Sequence, residues 1–238
     1  MKHIAIIAAM PGELKPLVRG WSHQNRNGVD IWTYKHDGGT WTAACAGTGA
    51  AAAVKAFAEI EKEGAIDSAL SVGWAGALNA GLVSGRAYRV AAVTDARTGE
   101  RFQPRGEQGG CSLVTVGQVA GKAEKSRLAS TYGASLVDME AAAIARLAEM
   151  RAIPFQCIKG VSDGPGEKLP DFNRFIGQNG RFQTCRFALF ALVRPWLWPA
   201  LVRMGENSRK ASQSIAESLL DLLDERGHIR ERNGYPNY

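Results

Sequence analysis

Residues 135–145 read SLVDMEAAAIA. The first four are a short apolar run that ends in an acid. From Ala141 the spacing turns helical and alanine repeats. A strand that passes straight into a helix is the unit from which α/β proteins are built, so the neighbours of this stretch decide the fold. Two carboxylates, Asp138 and Glu140, sit at the junction. One reading makes both ordinary acids at a helix start, where the helix macrodipole favours negative charge. The other gives one of them a ligand.

The alternation continues on both sides. HIAIIAA (3–9) is a continuous apolar run, as a strand buried on both faces requires. Pro11 suits the first turn of a short helix. DIWTYKH (30–36) and TWTAACA (40–46) flank Asp37-Gly38-Gly39, a hairpin turn. GAAAAVKAFAEIEKEG (49–64) has helical spacing and closes on Gly64. SALSVG (68–73), RAYRVAAVTD (86–95) and CSLVTV (111–116) read as strands. KAEKSRLASTY (122–132) reads as a surface helix, and PFQCIKGVSD (154–163) as the last clear strand. The pattern predicts a single-domain three-layer α/β/α sandwich over residues 1–224, around a central mixed, mostly parallel sheet. Residues 225–238 form a polar, turn-rich tail.

Composition narrows the class. The 238 residues carry a net charge of +6. That charge permits anionic partners but singles none out, and no nucleic acid is expected. Four cysteines lie far apart with no CxxC pair, so no metal site is expected and reduced thiols in the cytoplasm are the default. Cys45 and Cys157 sit in apolar runs and read as core fillers. MKHIAIIAAMPGEL is too short in its apolar part for a membrane span and lacks the long apolar region of a signal peptide.

AGTGAAA (46–52) contains GxGxxA and opens a helix, close to a dinucleotide fingerprint. It follows a hairpin rather than the first strand of a βαβ unit, and Asp67 precedes the next strand instead of ending it. A tight turn at a close helix–strand contact explains it as well. Gly47 and Gly49 remain candidates for an anion. Three acids at strand ends are more suggestive: Glu13, Glu140 and Asp163. In open α/β sheets, ligands bind beyond the carboxyl ends of the strands.

IAIIAAMPGEL, AGTGAAAA, SVGWAGAL, and VDMEAAAIA followed by PFQCIKGVSDG together resemble the nucleoside phosphorylase and nucleosidase superfamily. The similarity is greatest to its methylthioadenosine/S-adenosylhomocysteine nucleosidase branch and covers most of residues 1–165. The resemblance implies a purine nucleoside substrate and no cofactor, with phosphate as co-substrate if the enzyme is a phosphorylase. It implies Glu13 as the base that activates water and Asp163, oriented by Ser162, as the acid that protonates purine N7. Glu140 then accepts hydrogen bonds from the ribose hydroxyls and Met139 packs on the sugar. Trp74, Gly76, Val119 and Ala120 are placed near the base, and the family usually forms dimers or larger assemblies. The chemistry is coherent. Breaking an N-ribosidic bond makes the sugar cationic and requires adenine to leave protonated. On this reading Asp163 needs an apolar setting that keeps it protonated, Glu13 must be ionised, and Asp138 is a solvated or capping acid.

Three positions depart from the family pattern. Trp74 stands where relatives carry a small or hydroxyl residue, and fills the site, stacks on a ligand, or packs in the core. Lys159 replaces a common arginine and is available to a carboxylate or a phosphate, the latter alongside Arg97 and Arg101. VGQVAG (116–121) replaces a segment that usually brings an aromatic residue to the base. Hydrolysis and phosphorolysis both stay open, as does a non-catalytic nucleoside- or lipid-binding module. Glu13 favours hydrolysis, because it repels phosphate.

A helical apolar insertion is expected near 168–205. Residues 187–202 are rich in Phe, Leu and Trp, but Arg194, Pro195 and Pro199 interrupt them, so no span is expected. Basic residues surround the run. Residues 182–205 suit either packing on the domain or a partner, or peripheral contact with the inner membrane face. This segment resembles the hopanoid-associated phosphorylases, which implies an adenosyl lipid as substrate.

Overall fold

β1 (Lys2–Ala8) shows how the sequence becomes a layered domain. Its side chains alternate between two buried surfaces. Ala5 and Ile7 join a core with α2 (Ala50–Glu61) and α4 (Ala141–Met150), whereas Ile4, Ile6 and Ala8 join a second core. That second core includes α1 (Pro11–Leu14) and the end of α6 (Trp198–Glu225). A computed structural model describes residues 2–36, 38–106, 109–167, 170–177 and 180–225. The polar tail, from 226 onward, lies outside the described residues, as does Asp37 of the expected hairpin turn.

The remaining strands are β2 (Ser22–Arg26), β3 (Val29–His36), β4 (Gly39–Cys45), β5 (Ser68–Ala77), β6 (Ala87–Asp95), β7 (Arg101–Phe102), β8 (Cys111–Thr115), β9 (Leu136–Asp138) and β10 (Phe155–Asp163). They form one sheet in the order β10-β6-β8-β9-β5-β1-β4-β3-β2. β10 also pairs with β5, so the first five strands close into a ring and the rest extend from it. The sheet is mixed, with five parallel and five antiparallel pairings, and is therefore less parallel than expected. The antiparallel pairs come from the β2–β3–β4 meander, from the strands that close the ring, and from β7, which pairs with β6 off this path.

α3 (Lys122–Tyr132) packs Leu128 against β8 and β9 in a third cluster. The expected insertion holds a 3-10 turn (Phe172–Phe175), α5 (Thr184–Leu192) and the start of α6. Pro199 does not interrupt this segment, because it lies in the first turn of α6, where a missing N–H costs nothing. The helix then runs on into the core through Ala211, Ile215 and Leu219. No helix among the described residues is by itself long and apolar enough to cross a membrane; α5 and α6 pass such a test only as a pair bent by 107°.

α6 lies directly on β10 at Gly160. A Cβ there would come within 2.8 Å of Ala211 Cβ and 3.0 Å of its carbonyl oxygen. Gly160→Ala is therefore expected to lower stability by about 1–3 kcal/mol, because neither backbone can easily retreat. Urea denaturation measures this, and an unchanged midpoint would show that the two elements do not press together.

Candidate active site

Glu13, Glu140 and Asp163 line one cavity of about 440 Å³. Each comes from the end of a strand or the first turn after it, and two glycines open the space they need. The Glu13 carboxylate accepts hydrogen bonds from the amides of Ala9 (2.7 Å), Met10 (2.8 Å) and Trp74 (2.7 Å). It lies where a side chain on Gly73 would be: a Cβ there would sit 2.8 Å from Glu13 Oε1. Burial pushes the Glu13 carboxyl above its ordinary range, against the pull of those amides and Lys159. These three contacts to its oxygens are nevertheless all from donors, the arrangement that receives a carboxylate.

Glu140 is buried at the start of α4. Its Oε1 accepts from the Gly49 amide at 2.6 Å. Burial and then the nearby Asp138 charge push its carboxyl up to about 8, although Lys159 and the Gly49 amide oppose the shift. Met139 lines the same cavity.

Of the two readings of Asp138, a solvated or a capping acid, the structure shows the capping one. It is buried, accepts from Thr115 Oγ1 (2.7 Å) and caps α4 through the Ala141 amide (2.9 Å). Its Oδ2 lies 2.9 Å from Lys159 Nζ. Lys159 is only 1% exposed and does not line the cavity. Burial works against its charge, but Asp138, Cys157 and Glu140 together carry its net shift upward. Of the two uses expected for Lys159, the structure provides the carboxylate and leaves phosphate out of reach. Arg97 and Arg101 do not line the cavity either.

The amides of the glycine turn are likewise committed. Gly47 donates to the Ala9 carbonyl (3.1 Å), Thr48 to the Gly180 carbonyl (2.8 Å) and Gly49 to Glu140. A phosphate seated on these three N–H groups would have to displace the protein's own acceptors. A second cavity, of about 670 Å³, adjoins the first at Thr48 and Met139 and is bordered by the start of α2, Lys55 and Arg181.

The setting of Asp163 also corrects an expectation. Its surroundings are not apolar. Lys125 of α3 makes a short ion pair with Asp163 Oδ2, and Ser162 Oγ donates to Oδ1 at 2.6 Å. α3 reads as a surface helix, yet Lys125 is 4% exposed and lies in the cavity wall. Gly76 makes room for it: a Cβ there would meet Lys125 Cε at 2.9 Å. No motif marks Lys125, one of two lysines on a mostly polar helix.

The other expected residues fall around the cavity. Trp74 lines it, and its indole N–H is fixed on α6 by Ser208 O (3.0 Å) and Ser212 Oγ (2.9 Å). Val119 and Ala120 line it too, but both main-chain polar groups of Val119 are held by the Asn173 side chain (2.8 and 3.0 Å), so they are not free for a base. Phe172, Phe182, Phe187, Leu201 and Met204 complete the wall. The insertion is therefore part of the same cavity as Glu140. Cys45 and Cys157 fill the core, and burial pushes the Cys157 thiol up to about 12.

The family model of the phosphorylase superfamily matches residues 3–110 and 91–191. No curated protein sequence matches the chain. The fold is similar to that of 5′-methylthioadenosine/S-adenosylhomocysteine nucleosidase from Helicobacter pylori, with 16% identity over 94% of this chain and 99% of that one and a TM-score of 0.70. Futalosine hydrolase from the same organism gives 16% identity, 94% and 98% coverage and a TM-score of 0.70. The 5′-methylthioadenosine nucleosidase of Arabidopsis thaliana gives 16% identity, 98% coverage of both chains and a TM-score of 0.69. At these identities the likeness is one of fold.

Glu140 carries a consequence for stability. Burial holds its carboxyl in the fold at about 8, above the ordinary glutamate range, so its contribution is intact at low pH and is lost as pH rises toward 8. Glu140→Gln keeps an acceptor for Gly49 and cannot ionise. The melting temperature of the variant minus that of the wild type should therefore grow between about pH 5 and about pH 9, by roughly several degrees. A difference that is flat with pH would mean that the carboxyl ionises freely in the fold.

Proposed function

Because the chain belongs to the phosphorylase superfamily, we propose that it cleaves the N-glycosidic bond of a purine nucleoside, an adenosyl compound, by hydrolysis through an oxocarbenium-like transition state. The observation that carries this reading is the convergence of Glu13, Glu140 and Asp163 on one cavity. Glu13 takes a proton from the attacking water. Glu140 accepts from the ribose hydroxyls and places negative charge beside the cationic sugar, with Met139 packed on the ring. Asp163, oriented by Ser162, delivers a proton to N7. The base lies toward Gly76, Val119 and Ala120, with Trp74 closing the wall. The scheme calls for no metal and no organic cofactor.

Water is favoured over phosphate because Glu13 occupies the nucleophile's side and the Gly47, Thr48 and Gly49 amides are already bonded. Phosphorolysis is the second reading, supported by Lys55 and Arg181 beside the adjoining cavity. Adenine release from 5′-methylthioadenosine, with and without inorganic phosphate, separates the two. The expected result is release at the same rate in both. Glu13→Gln should slow it by about 10²–10⁴-fold, the usual worth of a general base. Release that needs phosphate would refute hydrolysis. No release from any adenosyl substrate would favour a binding module.

The 5′ side of the substrate is apolar in this reading, and an adenosylated hopanoid lipid fits it. Support comes from the wall that Phe172, Phe182, Phe187 and Leu201 add to the cavity. It also comes from the outer face of the insertion, where Leu189, Leu192, Val193, Trp196 and Val202 are exposed. Arg186, Arg203 and Arg209 flank that face, which suits peripheral contact with an anionic bilayer at the inner membrane face. In a 5′-alkylthioadenosine series, kcat/KM should rise about fourfold per methylene until the wall is filled, from about 0.8 kcal/mol per buried CH₂. Phe187→Asp should flatten the series. The wild type should sediment with anionic vesicles; a dimer that ignores them would mark the face as a subunit contact instead.

A further inference from the structure

We propose that Lys125 is a positioning residue that supplies, through Asp163, the proton that reaches the departing purine. The inference rests on the nucleosidase reading above and deepens it. In that reading a carboxyl group protonates the base, but here Asp163 is not an isolated acid. It is one half of a buried ion pair in the wall of the cavity.

The hydrogen-bond pattern of Lys125 Nζ fits two protonation states. An ammonium has three hydrogens, and three oxygens receive them: Asp163 Oδ2, the Gly164 carbonyl at 2.8 Å and the Asp163 carbonyl at 3.4 Å. Two of these acceptors are carbonyls, which cannot take up a proton at working pH. Only the carboxylate can. When the shared proton moves to Asp163, a neutral amine keeps two N–H groups for the two carbonyls and turns its lone pair to the carboxyl. Neither state leaves a buried polar group unpaired. Ser162 holds the other carboxylate oxygen throughout.

The wall is shaped around this amine. Gly76 lies against Lys125 Cε and Nζ, where any larger residue would collide. A buried pair of this kind is not an economical source of stability, because desolvation offsets most of its attraction. Other charged groups share the cavity: Glu13 from α1, and Asp138 and Glu140 from the β9–α4 junction. Lys159 of β10 is turned to Asp138, which leaves Lys125 as the cation beside Asp163.

The step balances. The C1′–N9 bond breaks and its electron pair goes to the purine. A proton passes from Lys125 Nζ to Asp163 and from Asp163 to N7, and the lysine is left neutral. Water adds its oxygen to C1′ and gives its proton to Glu13. Exchange with solvent restores Lys125 and Glu13.

The test is steady-state adenine release from 5′-methylthioadenosine by the full chain. Lys125→Met should lower kcat by about 10²–10⁴-fold while KM stays within about threefold, the sign of an interaction used in the transition state rather than in binding. Lys125→Gln, which can still hydrogen-bond Asp163 but has no proton to yield, should be equally slow. It serves if the Met variant does not fold. Lys125→Arg keeps a cation that does not deprotonate, and it should also fail to restore the rate. Wild-type kcat in Lys125→Met, or recovery in Lys125→Arg, would overturn the proposal and leave Lys125 as a structural charge. Loss that falls on KM alone would overturn it too. If the wild type itself releases no adenine from any adenosyl substrate, the nucleosidase reading fails and this proposal falls with it; activity in the wild type with unaffected variants refutes Lys125 alone.

Discussion

The buried ion pair of Lys159 with Asp138 underlies the electrostatics of the cavity. Lys159 lies beneath the cavity, 2.9 Å from Asp138, and its charge lowers the cost of ionising both Glu13 and Glu140. Four carboxyl groups, those of Glu13, Asp138, Glu140 and Asp163, line one space. Without counter-charge, burial and mutual repulsion would drive several of them neutral. The two buried lysines divide the task. Lys159 neutralises the acid that caps α4, and Lys125 neutralises the acid at the end of β10. Among the described residues no side-chain cation forms an ion pair with Glu13 or Glu140, and both are held by backbone amides. Those two are the carboxyls whose ionisation the fold resists, and in the proposed reaction they would face a sugar that becomes positive. In that reaction the resistance would be largest before the cation forms and would fall as it forms, which is the direction transition-state stabilisation requires.

Absent side chains shape the site as much as present ones. Gly73 has a φ of 142°, and its missing Cβ is the space that Glu13 occupies. Gly76 does the same for Lys125, and Gly160 for α6. All three lie on β5 or β10, the strands whose pairing closes the ring. The register of β10 on β5 shifts between Val161 and Asp163, so the strand ends irregularly where Ser162 and Asp163 enter the cavity. Close packing and catalytic geometry therefore impose the same residues here, and a substitution at one of these glycines disturbs both.

The strands of the core were legible because burial on both faces leaves an unbroken apolar run, as in HIAIIAA and PFQCIKGV. The acids were legible because strand ends recur at them. β2 was missed: SHQNR is a polar edge strand with one partner and no apolar face to show. β7 is two residues long and leaves no period to detect. Lys125 was invisible for a different reason. Its helix is mostly polar, and a lysine on it reads as solvated unless the acid 38 residues away is known to lie beside it. The closing of Val119 by Asn173 was equally hidden, since it joins two loops 54 residues apart. Local pattern reports burial; pairing between distant polar groups requires the fold.

The insertion meets the same limit from the other side. Its composition reads as apolar and basic, which leaves core, partner and membrane all open. The structure divides its residues by direction. Phe172, Phe175, Phe182, Phe187 and Phe190 pack on one another, with Phe175 and Phe190 ring centres 5.1 Å apart, and Arg194 lies over Phe190. This cluster gives the segment a small core of its own. The loop before α5 then grips the glycine turn through Thr48 and Gly180, a contact so close that a Cβ on Gly180 would come within 2.4 Å of the Thr48 carbonyl. The inner wall of the insertion is thus fixed to the turn whose Gly49 amide holds Glu140. An apolar group bound against Phe187 and Leu201 and a ribose bound at Glu140 would therefore press on one connected framework, because these residues line a single cavity.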